Sequence, residues 1–515
     1  MRIPLIGGSY TTRSVIASAQ RCINYYPEAM PKHLQPVIPM THYQRPALVP
    51  VAHIGTGPIR GLFQLSNGSG WCVSGSQLFR VNTDWTGTLI GAITAGRTNP
   101  VSMTDNGTSW ILVDGSATGW QGHLADNSFT TVIDPNPGTP TFVGADRVDF
   151  IDGFIVFNQP NTRKFGSTLQ TAEITFSDPT NPATPGVSTW VANKNGWPDL
   201  LQTIIVCRHE ILLIGTLKSE VWYDAGNALF PFAPVPGAYI EHGAIAKYSL
   251  ATQDAECYWL SRSLQGHGIV NKFRNYVTTR ISNHALEWAI REMQRTVGIS
   301  DAIGFCYQMD GHFFYVLTFP AGDQTWVFDA SIEDPTQAWH QEACTEADGQ
   351  LHRHRARCAA VLNDINVVGD HTDNTIYRLD MNTFVDTIAG ATRPLTCIRS
   401  FPHIGQARLA GSGQSVHLDG RRVQFARFEL DLESGTAPLE LDGTPAKVIL
   451  RWSDDRGKTW GTDVLQSAGE PGAYLTYPQW LGLGMARDRV FEISHSIAGP
   501  AALQGAFVDA EVAGT

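Results

Sequence analysis

The sequence predicts an all-β protein with three parts. Residues 56–384 read as a β-propeller of about seven blades with a helical insertion near 281–294, residues 385–515 as a C-terminal β-sandwich domain, and residues 1–55 as an extended N-terminal arm. Three observations carry this reading. First, Asn-Gly occurs at 67, 106 and 195 and Asp-Gly at 114, 152, 310, 348, 419 and 442; both dipeptides tolerate the positive φ angles of type I′ hairpin turns. Second, a strand–turn–strand pattern returns at intervals of 39 to 57 residues. Third, the texture of the chain changes near residue 385.

The first 55 residues are rich in proline and aromatics (NYYPEAMP, MTHYQRPALVP), which favours an extended segment suited to anchoring an interface. Such an arm should be removable with more harm to assembly than to propeller folding. The repeats follow, beginning at Trp71, Trp110, Phe154, Ile211, Tyr258, Phe313 and Ile365. Further strand-like runs precede several of them: IRGLF at 59, PVSM at 100, TIIVC at 203, IGFCY at 303 and RCAAV at 357. Three or four strands in a unit of this length match a propeller blade; one or two β-sandwiches with similar hairpins are the alternative. Between repeats, ISNHALEWAIREMQ spaces Ile281, Ala285, Leu286, Ala289, Ile290 and Met293 as one helical face, with Ser282 or Asn283 as N-cap. A lone helix here is expected to be a decoration or a contact element rather than part of the core. Beyond 385, FARFELDL, KVILRWS and RVFEISHS alternate apolar and polar residues, as half-exposed antiparallel strands do.

Composition excludes several functions. The net charge of −11 and the absence of a long basic stripe argue against a chain built to grip nucleic-acid phosphates. No apolar run suits a secretory signal or a membrane span. Eight cysteines, at 22, 72, 207, 257, 306, 344, 358 and 397, stand singly without C-x-x-C and read as buried free thiols.

Candidate chemistry is sparse. RWSDDRGKTW, 451–460, resembles the Asp-box best known from sialidases. In that hairpin Asp455 accepts hydrogen bonds from turn amides, Gly457 takes the left-handed conformation and Trp460 packs beneath the turn. The motif occurs once and outside the propeller, so Ser453, Asp455, Gly457 and Trp460 are read as a structural hairpin. His352 and His354 would share one face of a strand, near His340 and His371, but the interleaved Arg353 and Arg355 repel a metal cation. His209-Glu210 lacks the second histidine of a zinc motif, and GTGPIRG at 55 lacks the lysine of a P-loop. No nucleophile elbow occurs. The sequence therefore assigns no catalytic, cofactor-binding or metal-binding residue.

One resemblance covers residues 20–500. Cys22-Ile-Asn-Tyr-Tyr-Pro-Glu28, Arg45-Pro-Ala-Leu48, Gly57-Pro-Ile-Arg-Gly-Leu-Phe63 and Val73-Ser-Gly through Val81 resemble the opening of tail proteins of short-tailed bacteriophages. These are the tail nozzle, or packaged-DNA stabilisation, family; RISNHALEWAI, FFYVLTFP and RWSDDRGKTW are similar to segments in proteins of this kind. The resemblance implies a structural, non-enzymatic virion protein, made in the host cytoplasm and assembled as a hexamer below the portal and adaptor. It implies contact with a tail fibre, spike or needle protein and no membrane insertion. Genomic DNA would be retained and would pass through without sequence-specific binding, and an acidic channel wall would repel its phosphates and let it slide. Two other classes stay open on the residues alone: a glycan-binding or sialidase-like propeller in receptor recognition, and a soluble protein-binding scaffold.

Overall fold

The computed structural model describes residues 2–4, 7–30, 40–132, 142–168, 190–227, 230–405 and 421–513. Seven antiparallel sheets form the blades of a propeller. Their innermost strands are Ile59–Gln64, Ser102–Asp105, Val148–Ile151, Leu201–Cys207, Ala251–Gln253, Ile303–Met309 and Ala356–Leu362. The turn chemistry read from the sequence sets the inner hairpins. Asp152 (φ 48°) and Gly153 (φ 89°), like Asp310 (φ 48°) and Gly311 (φ 85°), take positive φ at both positions. Arg208 (φ 54°) with His209 (φ 59°) and Asn275 (φ 51°) with Tyr276 (φ 64°) adopt the same geometry without glycine. The Asp-Gly at 419 lies outside the described residues.

A separate apolar core lies between each successive pair of blades. Trp71 and Val73 of the first blade pack on Trp110 and Leu112 of the second. Ile59 and Leu62 of the first also meet Val367 and Ile376 of the seventh, which closes the circle. Each fully buried Ile or Leu in such a core contributes about 1.5–3 kcal/mol relative to exposure. All eight cysteines are free thiols, six of them buried.

The described stretches of the first 55 residues are spread over the sixth and seventh blades and the sandwich. Ala47–His53 is the outer strand of the seventh blade, paired with Thr375–Asp380. Cys22–Ile23 lies between Trp339–Thr345 of the sixth blade and Cys397–Ser400. Tyr25–Ala29 and Met40–Gln44 form a hairpin on one sheet of the sandwich, and Arg2–Pro4 pairs with Leu503–Val512 of that sheet. An extended segment rich in aromatics supplies backbone donors and acceptors to open sheet edges and rings to the cores beneath, so it binds the body instead of hanging from it. The wedge at Cys22 joins the sixth blade and the second sandwich sheet into one continuous sheet.

The helix runs from His284 to Thr296, and the Asn283 side chain caps it by accepting from the Leu286 amide. Here the sequence expectation of a decoration fails. Leu286, Ile290 and Met293 lie in the core between the fifth and sixth blades, beside Tyr258, Tyr315 and Trp326. The C-terminal sandwich packs its two sheets around Phe401, Phe425, Phe428, Trp480 and Phe491.

Candidate functional site

The Asp-box turn connects Lys447–Ser453 to Val464–Ser467. Asp455 Oδ1 accepts from the amides of Lys458 (2.9 Å) and Thr459 (2.8 Å) and from the Ser453 hydroxyl (2.7 Å). Its Oδ2 accepts from the Thr459 hydroxyl at 2.6 Å. The Gly457 amide donates to Ser453 Oγ at 2.7 Å. These bonds, led by the Thr459 hydroxyl, hold the Asp455 carboxyl well below the usual carboxylate range. A general acid needs the opposite shift, toward neutrality. Gly457 has φ 92°, and a Cβ there would sit 2.8 Å from the Ala19 Cβ, so the turn also receives the N-terminal chain. Trp460 is half-buried, with the Arg451 guanidinium 5.1 Å from its ring centroid. Next to the turn, Asp454 holds Arg489 through two bonds of 2.6 and 2.8 Å, and Arg489 lies among the rings of Phe425, Trp452 and Phe491.

The histidines expected on one strand face are parted. The strand ends at Arg353. His352 points to solvent between Asp323 (2.7 Å) and Asp348 (3.0 Å), and hydrogen bonds with the two carboxylates raise its pKa. His354 points inward, with Nε2 4.0 Å from Glu342 Oε2, and Nε2 of buried His340 lies 4.0 Å from the other Glu342 oxygen. Burial pushes His340 down to about 4 and Glu342 up to about 7. His371 is pushed down to about 3 by burial and by Arg353 and Arg355. Among the described residues no group of three or more His, Cys, Asp or Glu is placed to hold a metal ion.

Sequence reasoning missed the buried arginines. Arg45 is 1% exposed. It donates to Asp386 Oδ2 (2.6 Å), to Asn24 Oδ1 (3.0 Å) and to the Ala343 carbonyl (2.9 Å). Asp386 Oδ1 in turn accepts from the Leu48 amide at 2.9 Å, at the closing strand. The only sequence signal was the Arg45-Pro-Ala-Leu48 string itself, because nothing local pairs residue 45 with residue 386.

Also missed was an apolar edge on the sandwich. Val464–Ser467 and Gln479–Ala486 end their respective sheets among the described residues, and the Trp480 indole donates to the Val464 carbonyl at 2.9 Å, so both edges lie on one side. Leu465, Leu481 and Met485 project from these strands, and Leu441, Tyr474 and Leu475 from neighbouring loops; Leu475 is 84% exposed and Leu441 fully so. Exposed apolar side chains along open sheet edges suit an interaction surface.

Comparisons with known proteins complete the account. Among solved structures the chain is similar, at 10% identity, to the extracellular domain of a one component system from B. thetaiotaomicron, with a TM-score of 0.42 over 81% of this chain and 47% of that one. It thus spans about half the length of that protein (47%). BamB from Moraxella catarrhalis aligns with a TM-score of 0.36 at 10% identity, over 69% of this chain and 96% of its own. The computationally designed Ika8 protein aligns with a TM-score of 0.35 at 10% identity, over 64% and 99%. No curated protein matches. Two family models do: "Bacteriophage P22 Gp10, beta-propeller" over residues 1–384 and "Bacteriophage P22 Gp10, beta-sandwich" over residues 412–511. With three-quarters of its length under the first model and its sandwich under the second, the chain belongs to the Bacteriophage P22 Gp10 family of phage tail structural proteins, whose role is DNA stabilisation.

Proposed function

We propose that six copies of this chain form a nozzle ring below the portal and adaptor of a phage tail. The ring retains packaged DNA, forms part of the ejection channel and carries a tail fibre, spike or needle protein beyond it. Synthesis in the host cytoplasm precedes incorporation into the virion. The observation that carries assembly is the apolar edge: Leu441, Leu465, Tyr474, Leu475, Leu481 and Met485 are all exposed, and two strands that carry three of them end their sheets among the described residues. Burying such a patch drives association, and an open strand invites pairing with another chain. Ser453, Asp455, Gly457 and Trp460 act as a structural hairpin in this reading, and no residue is catalytic.

Mass determination and negative-stain imaging of the purified chain, alone and with portal–adaptor complex, test the reading. A six-fold ring, formed alone or on the portal, is expected. A compact monomer indifferent to the portal overturns it, and hydrolysis of a sialoside by the purified chain overturns the structural role of the hairpin.

A further inference from the structure

The seven innermost strands surround a cavity of about 380 Å³ on the propeller axis. Each of these strands starts at the same mouth, and the starts are rich in cations. Arg60, Arg147 and Arg357 stand at or just before the first, third and seventh innermost strands, and Lys247 precedes the fifth; all four line the cavity. Arg97, ahead of the second, lies close by: a Cβ on Gly115 would come 2.9 Å from Asp146 Oδ1, 3.3 Å from the Tyr248 hydroxyl and 3.9 Å from Arg97 Nη1. Gly115 has φ +76°, so the turn that permits this convergence favours glycine.

The carboxylates present do not neutralise this set. Lys247 Nζ meets Asp146 Oδ1 at 2.5 Å. Asp149 lowers the cost of burying Arg147, which itself donates to the Leu250 carbonyl at 2.9 Å. The Arg60 side chain is 0% exposed, and its Nη2 faces the equally buried Asp114 Oδ2 at 3.8 Å, an ion pair too long for a hydrogen bond. Its Nε and Nη1 donate to the Asn99 (2.8 Å) and Gly75 (2.9 Å) carbonyls, but Nη2 has no hydrogen-bond acceptor. Arg357 donates from Nη2 to the Thr98 carbonyl, yet its Nε has no acceptor, and no carboxylate of the described residues lies within 4.0 Å of it. The buried Tyr248 hydroxyl also has no partner. Burial, with Arg60 and Arg353 nearby, pushes Arg357 down to about 10. Unpaired buried donors and excess positive charge are costly unless an anion completes them.

We propose that this mouth of the propeller channel is a binding site for a small phosphorylated molecule, its phosphoryl group held by Arg60, Arg97 and Arg357 with the Tyr248 hydroxyl. Planar guanidinium forks match phosphoryl oxygens, and several arginines about one mouth favour a multiply charged group over a single carboxylate. The cavity is larger than one phosphate needs and falls in the range of small-ligand pockets. It is lined by residues of one propeller alone, so it does not depend on the assembly proposed above.

Titration calorimetry of the full-length chain at constant ionic strength tests this, with inorganic phosphate, adenosine monophosphate and adenosine as probes. Both phosphate-bearing probes should bind and raise the melting temperature, as a ligand that prefers the native state must, while adenosine does neither. Arg97→Gln and Arg357→Gln should each weaken binding about tenfold or more, the factor expected when a charge-assisted hydrogen bond is lost. Tyr248→Phe, which removes only an unpartnered hydroxyl, should weaken binding without loss of stability and serves if an arginine variant misfolds. No binding of either phosphate probe up to about 10 mM, equal binding by folded variants, or binding of an acidic peptide in place of phosphate overturns the proposal.

Discussion

Removing the Arg45 guanidinium would leave the Asp386 carboxylate buried beside Leu48 without its cation. Breaking a buried pair from one side costs about 3–5 kcal/mol, so Arg45→Ala should lower unfolding stability by that order in urea titrations. The Asp-box makes a different prediction, about pH. Its hydrogen bonds depress the Asp455 pKa, so their contribution is fully present above the unfolded value of about 3.9 and is lost as pH falls through the folded value. Asp455→Asn should therefore be destabilising at neutral pH, with the gap to the native chain closing on acidification. Glu342 behaves oppositely. Burial raises it from 4.5 to about 7, so its contribution is present below the unfolded value and lost as pH rises through the folded one. Glu342→Gln should gain stability relative to the native chain between about pH 5 and about pH 8, as read from denaturant midpoints. His340, lowered to about 4 by burial, slopes the other way, losing stability as pH falls below 6.5.

At the scale of elements, hairpins were legible and their long-range partners were not. Asp152-Gly153 and Asp310-Gly311 announce their turns because both φ values are positive and glycine favours them locally. Arg208-His209 makes the same turn with no such residue signal; there the flanking strand pairing imposes it. The helix was visible from its spacing, and its cap is Asn283. Its burial was not visible, because Tyr258 and Trp326 come from blades on either side. Asn283→Ala should cost about 1 kcal/mol, measurable by thermal unfolding. The N-terminal arm was misjudged for the same reason: extended composition says that a segment is strand-like but not which edge receives it. Deleting residues 1–50 strips part of the closing strand and the wedge at Cys22. The truncated chain should therefore lose cooperative unfolding of propeller and sandwich together, rather than remain a folded propeller that fails only in assembly. At the candidate sites, the hairpin was readable because its bonds are local. The channel mouth was not, since its arginines align only once the blade register is known.

Across the whole molecule, the propeller is closed by two strands far apart in the chain. His53 and Thr375, 322 residues apart, lie side chain to side chain at the seam of the seventh blade. The segment that finishes the circle is therefore made long before the strand it pairs with. At a synthesis rate of about 5–20 residues per second, Ala47–His53 leaves the ribosome on the order of tens of seconds before Thr375–Asp380 exists to receive it. Through that interval it is an open strand attached to a growing series of blades that cannot yet close. Two nascent chains on one message could exchange these strands, giving a pair joined at the seam in place of two closed propellers. The order of translation thus makes the propeller's birth, more than its finished state, the moment at which it is exposed to error.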